Sequence, residues 1–300
     1  MSQSEPLNKA KILLRRLLKA SGELQTAIPG LTCGRRDEIG PPCNSLPEPF
    51  VTLLVEGSKT TSYPGDRPLQ YHQGQCLVSG VTSPNAASFH CSLSDPLLFI
   101  TLRLDYQIIN ELLDKLPNFA QRPRDLHMCP AVVIDATPEL EDAFVRLMEL
   151  VDSPERIDIL APLIKQEIHY YLLMSVAGSM LSGFALSGVV PNQLARSINY
   201  LKENYQQPIF VEDLAKMVHM APSTFFRHFK AMFGLTPMQY HKQLRLFAAR
   251  KMLWQQQGSV SQIAYEVGYE SASQFSRDYK KLFGLTPTAE RSPEHKTDEA

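Results

Sequence analysis

The pentapeptide FGLTP occurs twice, at Phe233–Pro237 and at Phe283–Pro287, fifty residues apart. Shifting the chain by fifty residues aligns "STFFRHFKAMFGLTP" with "SQFSRDYKKLFGLTP". Upstream, "DLAKMVHMAP" aligns with "QIAYEVGYES" at an offset of 49, so the second copy has one extra residue in its turn. Two copies at this period describe one supersecondary unit made twice, since a solenoid needs at least three.

Each copy reads as two short helices around a tight turn. Leu214, Ala215 and Val218 share a face in the first copy, Ile263, Ala264 and Val267 in the second. The turns fall at His219 and Gly268, residue types that tolerate left-handed backbone. In the second helices Phe225 and Phe229, or Phe275 and Tyr279, face inward at i, i+4. The opposite face then carries Ser223, Phe226, Arg227 and Lys230, or Ser273, Gln274, Arg277 and Lys281. Arg can bond a guanine edge in bidentate fashion, Gln can read adenine and Ser a base edge or phosphate. The pattern is a helix-turn-helix unit in duplicate.

FGLTP acts as a stop-and-restart signal. Phe closes the apolar face, Gly ends the helix in left-handed conformation and Leu packs back. Thr then caps the next helix, with Pro at its first position. After Pro237 that helix is expected to run about 18 residues and join the two units rigidly.

Charge agrees with a polyanionic partner for the end of the chain. Residues 192–291 hold 13 Lys+Arg against 7 Asp+Glu, while residues 1–191 hold 16 against 21, an asymmetry hidden by the overall net charge of −1. Residues 192–290 resemble the AraC/XylS family of bacterial transcription regulators, on "VEDLAKMVHMAPSTFFRHFKAMFGLTPMQYHKQLRL" and "VSQIAYEVGYESASQFSRDYKKLFGLTP". The resemblance implies a seven-helix module whose two recognition helices enter successive major grooves. Its base-contact positions fall on Ser223, Phe226, Arg227, Ser273, Gln274 and Arg277, and phosphate contacts are expected at Thr224, Lys230, Ser276 and Lys281. Two positions depart from the pattern. Phe210 stands where the family has a Ser/Thr cap, whereas Ser259 and Gln262 form a capping box. Phe226 is apolar, so it is expected to touch a thymine methyl or sugar, or else to pack on a neighbouring helix.

From Pro49 the pattern changes to short strand-like runs: "FVTLLVEG", "KTTSY", "LQYH", "QCLVSGV", "SFHCSL" and "LLFITLRL", separated by "EGS", "PGD" and "TSPNA". They suggest a small barrel or jelly roll. On "VEGSKTTSYPGDRPLQYHQGQCLVSGV" and "PLLFITLRLD" this part is similar to the cupin-like sensor domain of one branch of the family. Two helical stretches follow. One has Thr137 as cap and Leu140, Phe144, Leu147 and Leu150 as its apolar stripe; the other carries Ile157, Leu160, Ile164, Ile168 and Leu172. Part of these stripes covers the barrel, and the remainder is expected to form a dimer contact. "GSMLSGFALSGVVPN", with three Gly and three Ser, reads as a linker.

The expected organisation is therefore an α+β two-domain chain. Residues 1–48 form an N-terminal helix and lead segment, and 49–177 a cupin-like β-barrel sensor and dimerisation domain with a helical hairpin. Residues 178–191 are a linker, 192–291 an all-α double helix-turn-helix module and 292–300 a polar tail. The five cysteines contain no CxxC pair, which argues against a disulfide framework or structural zinc. Cys76 and Cys91 fall in strands. Cys33 and Cys43 fall in a Pro/Gly-rich segment expected to be exposed; Arg35 and Arg36 would lower the Cys33 pKa, making both candidate reactive thiols, with inert thiols as the alternative. His72, His90 and His127 lack the HxH pattern of cupin metal sites, and no catalytic constellation stands out, so no metal, cofactor or enzyme activity is expected. No signal-peptide core and no 18-residue apolar run occur, so a cytoplasmic protein without membrane contact is expected.

The expected function is a sequence-specific regulator that binds double-stranded DNA, acts on RNA polymerase by family resemblance, forms a homodimer and answers to a small effector or reactive thiol. Activation is the commoner family behaviour. The alternatives are a metal-dependent or ligand-binding cupin with a DNA-localising tail, and an architectural DNA-binding protein.

Overall fold

The alternating runs become strands because each sends every second side chain into one of two apolar layers. The computed structural model describes residues 4–116, 129–186 and 188–291, so His127 and the polar tail lie outside the described residues. The expected runs are β4 (Phe50–Glu56), β5 (Ser58–Ser62), β6 (Leu69–His72), β7 (Gln75–Ser79), β8 (Asn85–His90) and β9 (Leu97–Arg103). The segment read as a lead adds β1 (Gly22–Gln25), β2 (Leu31–Arg36) and β3 (Cys43–Ser45), and β10 (Ala131–Asp135) follows the stretch outside the described residues. They form a six-stranded sheet, β1-β2-β9-β4-β7-β10, and a four-stranded sheet, β3-β8-β5-β6, with every pairing antiparallel.

Among the described residues no ladder joins the two sheets, so the expected closed barrel is instead a pair of open sheets. The outer face of the larger sheet carries Leu31, Cys33, Val51, Leu53, Ile100 and Leu102, all buried with the helices. Those helices are α1 (Glu5–Leu17), α2 (Tyr106–Lys115), α3 (Pro138–Glu149) and α4 (Ile157–Met174). Thr137 caps α3 as expected, its side chain accepting from the Leu140 N–H. In α4 Ile157, Ile164, Ile168 and Leu172 are buried, but Leu160 is turned outward and exposed. Buried Glu56 receives both Arg15 (2.9 Å) and Lys11, fastening α1 to β4.

Two further expectations need correction. The Gly/Ser-rich segment from residue 178 is not a plain linker, because α5 (Gly178–Ala185) forms there and buries Met180, Leu181 and Phe184. Burial of three large apolar side chains outweighs the weak helix propensity of Gly and Ser. Cys33 is not exposed. It is fully buried with its Sγ 3.7 Å from Met148 Sδ, and burial pushes its pKa up to about 12, the opposite of a reactive thiol.

The C-terminal part follows the sequence closely. It comprises α6 (Val190–Glu203), α7 (Val211–Met217), α8 (Pro222–Phe233), α9 (Pro237–Trp254), α10 (Val260–Glu266), α11 (Ala272–Phe283) and α12 (Pro287–Glu290). Phe225, Phe229, Phe233 and Tyr240 stack in the core of the first unit, Phe275, Tyr279 and Phe283 in the second. At 18 residues, α9 is about 27 Å long and spans both units.

Candidate nucleic-acid interface

The two turns have the backbone that their residues permit. His219 has φ +56° and Gly268 φ +91°, both left-handed. The Val218 N–H and Met220 N–H close the first turn on Leu214 O and Ala215 O. Both FGLTP glycines are left-handed, Gly234 at φ +63° and Gly284 at φ +79°, and their N–H groups bond Lys230 O and Lys280 O. Thr236 caps α9 in a full capping box with Gln239, and Thr286 caps α12 by accepting from the Ala289 N–H. The box of Ser259 and Gln262 starts α10, whereas Phe210 makes no capping bond at the start of α7.

With the inward faces buried, α8 and α11 present the expected residues outward. Ser223, Phe226, Arg227 and Lys230 are exposed on α8; Ser273, Gln274, Arg277 and Lys281 are exposed on α11. Thr224 and Ser276 are half-buried, and the Ser276 hydroxyl donates to Ala272 O at 2.9 Å, which leaves its oxygen lone pairs as acceptors only. Phe226 is 39% exposed rather than packed away, consistent with its place on the outward face.

Residues that carried no sequence signal hold this platform together. The Arg245 guanidinium on α9 donates to Tyr205 O (2.7 Å), Gly268 O (2.7 Å), Gln206 O (3.2 Å) and Gln207 O (3.1 Å), pinning the second turn to the segment after α6. Arg250 bonds buried Glu290 at 2.6 Å, and the other Glu290 oxygen accepts from Tyr279 OH at 2.9 Å, tying α9, α11 and α12 together. Both act through backbone carbonyls or buried groups, contacts that leave no periodicity in a sequence.

The sheet part is docked on both units. The Tyr240 hydroxyl donates to Thr82 O at 2.9 Å, and Lys202 on α6 pairs with Glu48 at 3.2 Å. Asn44 Nδ2 donates to Leu282 O in the last turn of α11, and Asn44 O accepts from Arg250. The turn after β5 lies against the end of α8 so closely that a Cβ on Gly234 would sit 1.6 Å from Pro64 O. Lys230, in the last turn of α8, lines the cleft there with Asp66.

Comparison with known proteins fits this geometry. Residues 27–180 match the AraC-type transcriptional regulator N-terminus, and residues 214–292 match a helix-turn-helix domain. The chain belongs to the AraC family of transcriptional regulators. LumQ of Photobacterium leiognathi, a probable transcriptional regulator, is 36% identical over 90 residues, 30% of this chain and 36% of its own length. VirF, the virulence regulon transcriptional activator of Yersinia enterocolitica, is 24% identical over 163 residues, 54% of this chain and 59% of its own. The matched region thus spans between about a third and three-fifths of these relatives. ToxT of Vibrio cholerae O395, solved with (E)-4-(8-methylnaphthalen-1-yl)but-3-enoic acid bound, shares the fold: TM-score 0.63 at 14% identity, over 87% of this chain and 97% of ToxT.

Proposed function

We propose that this protein is a sequence-specific DNA-binding transcription regulator whose sheet domain receives a small effector. The observation that carries the reading is the pair of recognition helices, α8 and α11, each with an Arg exposed at the same outward position and each ended by a left-handed glycine whose N–H bonds a carbonyl of the last turn. Ser223, Phe226, Arg227, Ser273, Gln274 and Arg277 are assigned to base edges, and Lys230 and Lys281, with the Thr224 hydroxyl, to phosphates; Ser276 joins them only by turning its hydroxyl hydrogen away from Ala272 O. The α9 helix, about 27 Å long, is on the scale of one turn of B-DNA, about 34 Å, and so suits two units reading successive grooves.

The effector reading rests on ToxT, which shares the fold and was solved with an organic acid, and on the docking of the sheets onto the helix-turn-helix units. An effector that favours a different seating of Glu48 on Lys202, or of Thr82 on Tyr240, would change how α8 and α11 are presented. We assign a homodimer contact to the outer face of α4, where Ile159 and Leu163 are exposed beside Leu160. VirF, named a transcriptional activator, supports activation, and RNA polymerase as partner and a cytoplasmic location belong to the same proposal. The sheet domain's likeness to a cupin is part of the same reading.

Replacing Arg277 by Ala tests the central assignment. At the cognate site it should cost roughly 1–3 kcal/mol of binding and relax base preference in one block. Equal loss on every DNA sequence would instead make Arg277 a phosphate contact.

A further inference from the structure

Between the two sheets lies a cavity of about 540 Å³, within the range of small-molecule sites. Its floor is set by register. Thr32 on β2 pairs with Thr101 on β9, which pairs with Thr52 on β4, so three hydroxyls cross the larger sheet in one row. They are already engaged: Thr32 donates to Gln25 Oε1 at 3.0 Å, and Thr52 and Thr101 bond each other at 2.8 Å. Two of the three hydroxyl hydrogens are thus spent in these bonds.

The charged groups of the lining are matched, with one exception. Arg36 pairs with Glu23 at 2.9 Å, and Arg103 with Glu48 at 3.2 Å. Lys59 on β5 has no carboxylate at ion-pair distance among the described residues. Its ammonium is held instead against two rings, 5.3 Å from the Phe89 centroid and 5.2 Å from the Phe99 centroid. Phe99 reaches this place because its partner across the ladder is Gly34, where a Cβ would lie 2.0 Å from the ring tip. Burial lowers the Lys59 pKa to about 8, with Arg36 adding to the effect against Glu23 and Cys43. The half-buried ammonium thus lies against two ring faces with no carboxylate in contact, and the Glu23 carboxylate that acts on it is already bonded to Arg36, so it lacks the close counter-ion that buried charges normally have.

We infer that this cavity is the receptor site for a small organic acid, whose carboxylate pairs with Lys59 while its apolar body rests on Phe50, Phe89 and Phe99 over the threonine row. The acid supplies the missing anion, the rings supply apolar surface, and the cavity admits a body the size of one or two fused rings. Glu48, at the cavity wall, also holds Lys202 of α6, so the site adjoins a contact with the DNA-binding part. The inference rests on the effector reading above and names its ligand class and anchor.

The test is titration of the full chain with 2-naphthoate and with its uncharged counterpart, 2-naphthylmethanol, by calorimetry at pH 7. The naphthoate should bind at least tenfold more tightly than the alcohol. Lys59→Met should abolish that preference, and Lys59→Arg should keep most of it. Because Lys59→Met removes a charge whose burial is unfavourable, circular dichroism should show it folded; if it is not, the comparison of acid with alcohol on the unaltered chain and the Lys59→Arg result still decide the matter. Equal affinity for acid and alcohol, absence of naphthoate binding, or unchanged preference in folded Lys59→Met would each overturn the inference. DNA binding measured on the same preparation separates the two levels: loss of the acid site with sequence-specific DNA binding intact removes only this inference, whereas loss of specific DNA binding removes the functional reading.

Discussion

Gly234 and Gly284 occupy the same place in the two copies of FGLTP, yet the same substitution should affect them very differently. Both are left-handed, and forcing an L-residue into that region costs about 1–2 kcal/mol. Part of this is offset, because Ala restricts the unfolded chain more than Gly does. At Gly284 nothing lies within 4 Å of an added Cβ, so Gly284→Ala should cost about 1 kcal/mol and lower the melting temperature by a few degrees. At Gly234 the added carbon would fall 1.6 Å from Pro64 O and 2.7 Å from Gly65 N, both backbone atoms of the other domain. Backbone cannot rotate away as a side-chain tip can, so the turn must retreat and the docked surface open. Overpacking of this kind adds about 1–3 kcal/mol, unless the domains separate to relieve it. Thermal denaturation and small-angle scattering of both variants give the readout. Gly234→Ala should melt lower than Gly284→Ala and scatter as a more extended particle. Equal melting with unchanged scattering in both would refute the argument that the sheet domain is seated on the end of α8.

Two more expectations follow from single residues. Phe210 occupies the N-cap of α7 without a capping bond, so Phe210→Ser should supply one and stabilise the first unit by about 1 kcal/mol, read as a higher urea midpoint; no gain would mean that Phe210 contributes packing of equal worth. His241 is buried in α9, where desolvation and then Arg245 bring its pKa down to about 4, so the folded chain keeps it neutral while the unfolded chain takes a proton near 6.5. Stability should thus fall as pH drops from about 6.5 to about 4, and His241→Gln should flatten that part of the profile; an unchanged profile would place the titration elsewhere.

The helix-turn-helix part was legible nearly residue by residue because its determinants are local. Left-handed turn residues, caps and i, i+4 aromatic pairs are each written within a few positions of where they act. The sheet part was legible only where alternation was clean, as in "FVTLLVEG". The strands β1 to β3 escaped because "LTCGRR" carries a glycine whose value lies in a non-local contact, the Phe99 ring that fills its missing side chain. The α5 helix escaped because its Gly and Ser mimic a linker, while the burial that makes it a helix comes from distant elements. Cys33 was misjudged for the same reason: Arg35 and Arg36 suggest activation, but alternation turns Arg36 to the opposite face, Arg35 on the same face is paired with Asp37 at 2.7 Å, and Cys33 is buried under the helix layer. Lys59 gave no sequence signal, since a lysine in "SKTTS" reads as an ordinary solvent-facing strand residue. Only the fold brings it against the two rings, Phe89 of β8 and Phe99 of β9 in the facing sheet.

The central claim is that α8 and α11 read DNA together. Its most direct test is selection of bound sequences from random duplex DNA by the full chain at about 0.15 M salt, repeated with Arg227→Ala and with Arg277→Ala. The account predicts an asymmetric motif of two blocks about one helical turn apart, with each substitution erasing preference in a different block. A bound pool that stays random, or a single block altered by both substitutions alike, would contradict it.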